Sequence, residues 1–273
     1  MAQGEELASE SIEEKTLVKK SLDANIGTIT LDNPAKHNAL SAPLIGDLLA
    51  ALSDLTNAGA RVIVLRAYKG AKVWSAGHDV RELPTNGRDP LTYDDPLRRV
   101  VRVIKESPTP IIAMVEGGVW GGACEVVMSC DIVIAAEGAT FAITPAKLGV
   151  PYDIEGTLSF MQSVSLPVIK EMLFTAQPMP ADRALRVGLI NQVVPAERME
   201  SSTTEMARYL IQNSPLVISL LKEELRVLGE AHPLNPEGFQ RIQSIRRRIY
   251  DSVDYQEGIR SFFERRAPQF QGR

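Results

Sequence analysis

Residues 111–125 decide the fold, and they read Ile-Ile-Ala-Met-Val-Glu-Gly-Gly-Val-Trp-Gly-Gly-Ala-Cys-Glu. The apolar run at residues 111–115 predicts a buried strand, and Gly121 and Gly122 open a helix soon after it. The first N–H groups of a helix have no partner within the helix, and glycine lets another group approach the backbone closely. The stretch therefore predicts a helix N-terminus whose backbone N–H groups face an anion.

A second glycine turn, Ser-Ala-Gly-His-Asp at residues 75–79, follows an earlier predicted strand. Each of the two turns is able to direct one N–H group at a common point, and two such donors make an oxyanion hole. The pair of turns predicts an enzyme that stabilises an enolate.

The composition of the 273 residues is that of a globular α/β protein, with 44% hydrophobic residues. A formal net charge of −4 argues against a general nucleic-acid binder. The longest apolar segments, at residues 132–136 and 217–221, fall well short of the ~20 residues of a membrane span, so no membrane partner is expected. Residues 1–14 are acidic and polar and lack the order of a signal peptide, which predicts a disordered extension and a cytoplasmic protein.

Cysteine and histidine usage predicts neither a disulfide framework nor a metal site. The two cysteines, Cys124 and Cys130, fall on a predicted helix and its exit, and two lone thiols fit a reducing compartment. The three histidines, His37, His78 and His232, lack the i, i+4 spacing or the cysteine pairing of a zinc site.

Apolar periodicity predicts alternating strands and helices, followed by helices alone. The predicted strands lie at residues 16–22, 26–31, 61–67, 111–115 and 131–136, and helices begin after Ser41, near Leu97 and at Gly121. The first two strands form a predicted hairpin. From Glu155 onward we predict consecutive helices that stop at Pro167, Gly188, Pro215 and Pro233. This order predicts an α/β core with a helical C-terminal portion.

The motifs resemble those of the crotonase, or enoyl-CoA hydratase/isomerase, superfamily from about Leu17 onward. The matching marks are Asn33-Pro34 with Lys36, Asn38 and Ala39, the turn at residues 75–79, residues 117–125, and Cys130-Asp131. The resemblance implies an α/β fold with a crotonase-like ββα spiral core over residues 15–200 and a C-terminal helical trimerisation region over residues 201–273. It also implies acyl-CoA thioester substrates, trimers or hexamers of paired trimers, and no cofactor beyond the coenzyme A of the substrate.

Further stretches resemble superfamily members that decarboxylate their substrate. They are residues 87–91, Trp120 to Ala123, Thr144-Pro145, residues 148–152, 222–232 and 254–258. This resemblance implies biotin-independent conversion of methylmalonyl-CoA to propionyl-CoA and CO₂. Two alternatives stay open. One is hydration or isomerisation of an enoyl-CoA with Glu125 as acid and base, and the other is a non-catalytic acyl-CoA-binding relative.

Two backbone N–H groups carry the main catalytic role that the resemblance implies. The thioester oxygen would accept hydrogen bonds from the amides of His78 and Gly122, whereas the His78 imidazole is expected to be an exposed loop side chain. Loss of one such donor typically costs ~3 to 4 kcal/mol of transition-state stabilisation.

Glutamates decide the reaction type, since hydratases of this superfamily use two of them. Glu125 stands at the first position, while the second position falls on Pro145, which puts two-carboxylate water addition in doubt. We expect Glu125 to be buried and paired with Arg98, which would hold the carboxylate ionised and structural. A base role for Glu125 is the alternative.

Decarboxylation needs an oriented carboxylate in a mostly apolar pocket and no base. The residues expected to line the pocket are Val119, Trp120, Ile143, Val150 and Pro151. The Thr144 hydroxyl would orient the carboxylate, or it would only bond a nearby backbone group. Tyr152 would position the substrate or protonate the α-carbon, with water as the alternative donor and a core aromatic as the alternative role.

Coenzyme A recognition is expected mainly from backbone groups of one loop. The residues that the resemblance implies are Lys36, Asn38, Ala39 and Leu40 for adenine and phosphates, with Ala76 and Gly77 for pantetheine. Arg265 and Arg266 match a basic pair that reaches phosphates, and the alternative for both is a solvated helix end.

Overall fold

The computed structural model describes residues 16–83, 93–229 and 236–273. The predicted extension at residues 1–14, the motif at residues 87–91, His232 and the helix stop at Pro233 lie outside the described residues.

The secondary structure alternates strands and helices up to residue 194 and is helical beyond it. In chain order the strands are β1 (Val18–Asp23), β2 (Ile26–Leu31), β3 (Val62–Ala67), β4 (Val73–Ser75), β5 (Ile111–Val115), β6 (Gly118–Trp120), β7 (Ile132–Ala136), β8 (Thr140–Ala142), β9 (Met179–Pro180) and β10 (Gln192–Val194). The α-helices are α1 (Ala42–Asn57), α2 (Pro96–Glu106), α3 (Gly122–Met128), α4 (Ile154–Ser163), α5 (Leu166–Thr175), α6 (Ala181–Arg186), α7 (Met199–Gln212), α8 (Pro215–Gly229), α9 (Pro236–Tyr250) and α10 (Val253–Glu264).

Two sheets run side by side along a spiral. The larger sheet has the order β1-β2-β3-β5-β7-β10, and the smaller one has the order β4-β6-β8-β9. The long strands β3, β5 and β7 are each followed by a short strand of the smaller sheet and then by a helix. This repeated unit is the ββα spiral expected from the sequence, and it brings the ends of β4, β6 and β8 into one row.

The larger sheet is covered on both faces, which explains why β5 is apolar throughout. One core contains α1 and α2, with Leu48 and Val100 fully buried. A second core packs Met199 and Ala207 of α7 against the opposite face of the sheet. The domain boundary predicted after residue 200 falls inside α7 and stays a prediction.

The predicted hairpin, α1, β3, α2 and β7 are confirmed to within a few residues. The prediction of helices alone after Glu155 is wrong, because β10 adds a sixth strand that pairs in parallel with β7. A strand of three residues is too short to show an apolar alternation. Pro167 and Pro215 begin helices instead of ending them, since proline is favoured in the first turn, where its missing N–H has no partner to lose.

Cys124 and Cys130 are free thiols buried in the core. None of the described helices combines the length and the apolar character that a membrane span requires. No cluster of potential metal ligands occurs among the described residues.

Candidate active site

The two glycine turns meet at the ends of β4 and β6. Gly77 has a φ of 85°, and a Cβ atom there would overlap the carbonyl oxygen of Trp120 and lie 3.1 Å from the Gly122 nitrogen. A Cβ atom at Gly122 would in turn lie 3.8 Å from the His78 nitrogen. Only glycine allows this approach. The predicted oxyanion donors, the amides of His78 and Gly122, therefore lie side by side.

Buried polar side chains hold the turn at residues 75–79 in place. The Ser75 hydroxyl donates to the Asn38 carbonyl over 2.7 Å and accepts the Gly77 N–H over 3.2 Å. Asn38, fully buried, donates from its amide to the Trp74 carbonyl and accepts the Asn33 N–H. The Asn38 side chain thus serves the fold, and so does its backbone, since the N–H donates to the Asn33 carbonyl and the carbonyl accepts the Ser75 hydroxyl. A contact of Asn38 with coenzyme A stays a prediction.

The Thr144 hydroxyl lies at the same place. Gly121, with a φ of 56°, donates its N–H to the Ala142 carbonyl over 2.8 Å, and a Cβ atom on it would lie 3.0 Å from Thr144 Oγ1. The same Cβ position is 4.0 Å from the Gly77 Cα atom. One cluster therefore contains both amides and the hydroxyl, although they come from three separate ββα units.

Glu125 and Tyr152 form a hydrogen-bonded pair behind the Gly122 turn. The Tyr152 hydroxyl donates to Glu125 Oε2 over 3.0 Å. Burial raises the pKa of Glu125 from its ordinary 4.5 to about 8, the charge of Asp153 raises it further, and the Tyr152 hydroxyl, Lys105 and Arg98 oppose the change. Burial, and then the charges of Glu125 and Asp153, raise the pKa of Tyr152 well above 10. Both groups therefore hold their protons at neutral pH.

The expected ion pair between Glu125 and Arg98 is wrong. Arg98 lies 3.2 Å from the Asp153 carboxylate and 3.3 Å from that of Glu155. The Glu125 carboxyl accepts a hydrogen bond from Tyr152 instead. Asp153 is held in position beside Arg98 because it caps α4, where its carboxylate accepts the Gly156 N–H over 2.5 Å. Glu125 is consequently protonated, whereas the sequence analysis expected it to be ionised.

We expect Glu125→Gln to change how stability depends on pH. The native Glu125 binds its proton more tightly than the unfolded chain does, so the parent loses stability relative to the variant as pH rises from about 4.5 to about 8. Each pKa unit corresponds to ~1.4 kcal/mol, and the relative change should exceed one such unit. Urea unfolding of both proteins from pH 4 to pH 9 measures it. If the difference in the free energy of unfolding stayed constant with pH, the pKa of Glu125 would be the same in the folded and the unfolded chain.

The His78 imidazole is not the exposed side chain that the sequence analysis expected. Both ring nitrogens are buried, with no hydrogen-bond partner in the described structure. His78 lies near Asp95, the residue that caps α2 by accepting the N–H groups of Leu97 and Arg98. Burial raises the pKa of Asp95, and the nearby His78 lowers it. His78 as a whole is half-buried, so the burial concerns its ring nitrogens and not its whole side chain.

The residues predicted to line the pocket divide into two groups. Val119 and Ile143 are buried in the core, while Trp120, Val150 and Pro151 keep part of their surface exposed. Val119 and Ile143 belong to the core of the single chain, and their contact with a ligand stays a prediction.

The residues predicted to bind coenzyme A differ in their exposure. Lys36 is exposed beside Asp79, 3.9 Å away, and Ala76 is partly exposed, whereas Leu40 is fully buried. The Ala76 N–H donates to the His37 carbonyl. The side chains of Ala39 and Leu40 are buried, and their N–H groups donate to the carbonyls of Lys36 and Gly77. The contacts of these residues with coenzyme A stay predictions.

Arg265 and Arg266 occupy different environments at the end of α10. Arg266 binds Glu257 through both of its terminal nitrogens and also contacts Glu264. This arginine lowers the pKa of Glu257 to about 2. Arg265 is exposed in a left-handed conformation with a φ of 53°. Within the described structure, Arg265 is therefore the more accessible cation of the two.

Sequence reasoning missed three residues that shape the site. Leu97 of α2 would touch a Cβ atom at Gly122, at 2.7 Å, and Gly156 of α4 leaves room for Tyr152 and Glu125. Asp153 joins α4 to Arg98. Only Asp153 had a sequence signal, since aspartate is a preferred N-cap, whereas the other two depend on contacts between separate helices.

Comparison with known proteins agrees with this geometry. The family model described as enoyl-CoA hydratase/isomerase matches residues 21–273. The chain belongs to the enoyl-CoA hydratase/isomerase family, as the sequence motifs indicated.

Two relatives and one solved structure show where in the family the chain falls. It is 52% identical over 247 residues to methylmalonyl-CoA decarboxylase of Escherichia coli (strain K12), covering 90% of this chain and 95% of that protein. It is 32% identical to carnitinyl-CoA dehydratase of Salmonella typhi, over 90% of this chain and 94% of that one. A solved methylmalonyl-CoA decarboxylase in complex with 2-nitronate-propionyl-CoA superimposes with a TM-score of 0.93 at 50% identity, over 94% of this chain and 99% of that one.

Proposed function

We propose that this protein converts methylmalonyl-CoA to propionyl-CoA and CO₂ without biotin, through a thioester enolate. The observation that carries the proposal is the meeting of the His78 and Gly122 amides beside the Thr144 hydroxyl. The 52% identity to a methylmalonyl-CoA decarboxylase supports the choice of substrate.

The oxyanion hole drives the bond cleavage. The bond between the α-carbon and the carboxylate breaks, CO₂ leaves, and the electron pair moves into the thioester to give an enolate oxygen. The amides of His78 and Gly122 stabilise that oxygen, and the helix dipole of α3 adds to their effect. Thr144 orients the carboxylate so that the breaking bond stands perpendicular to the thioester plane. A hydroxyl does so without the strong ground-state stabilisation that a cation would give.

The protonated state of Glu125 favours decarboxylation over hydration. A carboxyl with a pKa of about 8 is mostly neutral at pH 7, and a neutral carboxyl cannot accept a proton from water. It also adds no negative charge that would repel the substrate carboxylate. Pro145, at the position of the second hydratase glutamate, provides no replacement base.

Tyr152 and Glu125 together supply the proton that completes the reaction. The Tyr152 O–H proton moves to the α-carbon, the Glu125 proton moves to the tyrosine oxygen, and the Glu125 carboxylate is reprotonated from solvent. The Tyr152 hydroxyl, which donates to Glu125 before the substrate binds, must turn towards the α-carbon for this step, and the 3.0 Å separation from Glu125 Oε2 then allows Glu125 to donate in turn. The transfer avoids leaving a tyrosinate, whose formation the raised pKa of Tyr152 disfavours.

Tyr152→Phe is expected to lower kcat about 100-fold, the usual contribution of a general acid. In D₂O the parent should place deuterium on one face of the α-carbon, while the variant, protonated by water, should give both stereoisomers of the product. NMR of the labelled propionyl-CoA distinguishes them. Tyr209→Phe is the matched control, because Tyr209 donates to Glu205 on an exposed helix face. A single stereoisomer from Tyr152→Phe would exclude Tyr152 as the donor.

The activity itself is tested by supplying methylmalonyl-CoA and crotonyl-CoA separately, with CO₂ release and acyl-CoA products measured. Propionyl-CoA formed from the first substrate alone is the expected result. Hydration of crotonyl-CoA without CO₂ release would make Glu125 a working base, and binding of coenzyme A without turnover of either would indicate a non-catalytic relative.

We also propose that the coenzyme A part of the substrate binds to residues that the sequence predicted and that the structure leaves partly or fully exposed. The exposed part of the loop at residues 36–40 and the partly exposed Ala76 face the nucleotide and pantetheine. Lys36 and Arg265 are the exposed cations placed for phosphate.

The exposed apolar surface of α8 supports self-association, for which a trimer or a paired trimer is proposed. None of the residues in α8, all of them described, is buried in the single chain. Large apolar side chains stand out from it, namely Leu216, Val217, Leu220, Leu221, Leu225, Val227 and Leu228. A patch of this kind marks a protein interface.

Leu225→Glu is expected to reduce the assembly to a monomer. Leu225 is 72% exposed in the single chain, so the substitution leaves the fold intact while it places a charge in the proposed interface. Light scattering after size exclusion gives the mass, and circular dichroism checks the fold. Lys170→Glu, on another exposed helix surface, is the control. An unchanged mass for Leu225→Glu would show that α8 is not the interface.

A further inference from the structure

The turn that carries Thr144 rests on the last helix. A 3₁₀ turn at Pro145–Leu148 follows Thr144, and the Lys147 N–H donates to the Thr144 carbonyl over 2.9 Å. A Cβ atom on Gly258 of α10 would overlap the Leu148 carbonyl. One on Gly149 would lie 2.8 Å from the Asp254 carbonyl oxygen. The position of the turn is therefore set by α10.

A tail made of residues 267–273 packs onto the same joint. The Phe270 ring lies 3.4 Å from the Cβ position of Gly149, on the same side of the turn as the Asp254 carbonyl. Phe270 is 43% exposed, which means that only part of the ring is used for this contact. The turn thus packs against both α10 and one aromatic ring of the tail.

Carboxylates of α10 bind the backbone of the tail. Asp254 accepts the N–H groups of Gln271 over 2.6 Å and Gly272 over 2.8 Å, and its own N–H donates to the Arg273 carbonyl over 3.2 Å. Glu257 accepts the Gln269 N–H over 2.9 Å. These bonds flank Phe270 on both sides, so they fix the ring against Gly149.

We propose that the tail is a strap that positions the catalytic hydroxyl, with Phe270 as the positioning residue that acts through the turn at Pro145–Leu148 on Thr144. The inference rests on the proposed function, because Thr144 matters to rate only if it orients a substrate carboxylate. Without the ring, the turn loses one of its two contacts at Gly149, and Thr144 Oγ1 leaves its place beside Gly121. Misplacement of an orienting group by about 1 Å lowers the rate by orders of magnitude.

Hydrogen exchange and kinetics of Phe270→Ala test the strap on the full chain. The amides of Lys147 and Val150, which bond within the turn, should exchange about tenfold faster, while amides of β5 keep the parent rate.

The kinetic test compares Phe270→Ala with and without the Thr144 hydroxyl. When Thr144 is retained, we expect Phe270→Ala to lower kcat for methylmalonyl-CoA about tenfold. Phe270→Ala should cause no further loss in a Thr144→Ala background. Phe270→Leu should restore most of the rate, and Phe263→Ala, at an exposed phenylalanine of α10, should match the parent.

The outcomes separate the strap from the proposed function. Unchanged exchange at Lys147 and Val150 would overturn the strap, and so would an equal kcat loss from Phe270→Ala with and without Thr144. A parent that binds coenzyme A but releases no CO₂ would overturn the proposed function and, with it, the action of Phe270 on catalysis. In that case, faster exchange would still establish that the tail holds the turn.

Discussion

Replacing Gly122 with alanine should lower kcat/KM for decarboxylation by at least about 100-fold, the usual effect of losing one oxyanion donor. The new Cβ atom would lie 3.8 Å from the His78 nitrogen, in the space shared by the two amides. It would also touch Leu97 Cδ2 at 2.7 Å, so that the Leu97 side chain must move. Steady-state kinetics with methylmalonyl-CoA measure the loss.

Two further variants identify the cause of that loss. Gly46→Ala is the matched control, since nothing lies within 4 Å of its Cβ position on α1 and parent activity is expected. Gly122→Ala combined with Leu97→Ala removes the side-chain contact but keeps the methyl group beside the amides. If the double variant regained parent activity, helix packing, and not the oxyanion hole, would explain the defect.

Gly258→Ala is expected to give the largest loss of stability, about 3 kcal/mol in the free energy of unfolding. The new Cβ atom would overlap the Leu148 carbonyl and lie 3.1 Å from the Gly149 nitrogen. Both neighbours are backbone atoms, which cannot move aside as a flexible side chain can. The turn must therefore separate from α10 and take Thr144 with it, so kcat should fall together with stability.

Urea unfolding monitored by circular dichroism measures the change, with Gly46→Ala again as the control. Gly46 and Gly258 are both helical glycines, but only Gly258 faces another backbone segment. Alanine at Gly46 should be neutral or slightly stabilising, because alanine favours helix. An unchanged free energy of unfolding for Gly258→Ala would mean that α10 does not hold the turn as closely as the structure indicates.

Much of the fold followed from local pattern. The hairpin, α1 and the buried strands have apolar periodicities long enough to be recognised, and the glycines of both turns mark places where backbone segments meet. All four strands of the smaller sheet, and β10 of the larger one, were missed because each contains only two or three residues and is specified by its partners in the sheets.

Some of the chemistry of the site was likewise predictable from the sequence, and some was not. The spacing of Gly77, His78 and Gly122 indicated an oxyanion hole, since backbone donors depend on turn geometry that glycine reveals. The partner of Arg98, the protonation of Glu125 and the buried His78 ring nitrogens did not follow from the sequence. Each depends on how α2, α3 and α4 pack, and this packing decides which charges are removed from water.

The sequence by itself determined the alternation of strands and helices and the two glycine turns, because periodicity and glycine position are local properties of the chain. Its motifs indicated the family, and the resemblance implied the ββα spiral and the two backbone donors. Only the tertiary structure decided that Glu125 pairs with Tyr152, that Asp153 takes Arg98, and that the tail reaches the Thr144 turn. The reason is physical. Burial and charge proximity set a pKa, and contact between distant segments sets a position, so both arise only when the chain has folded.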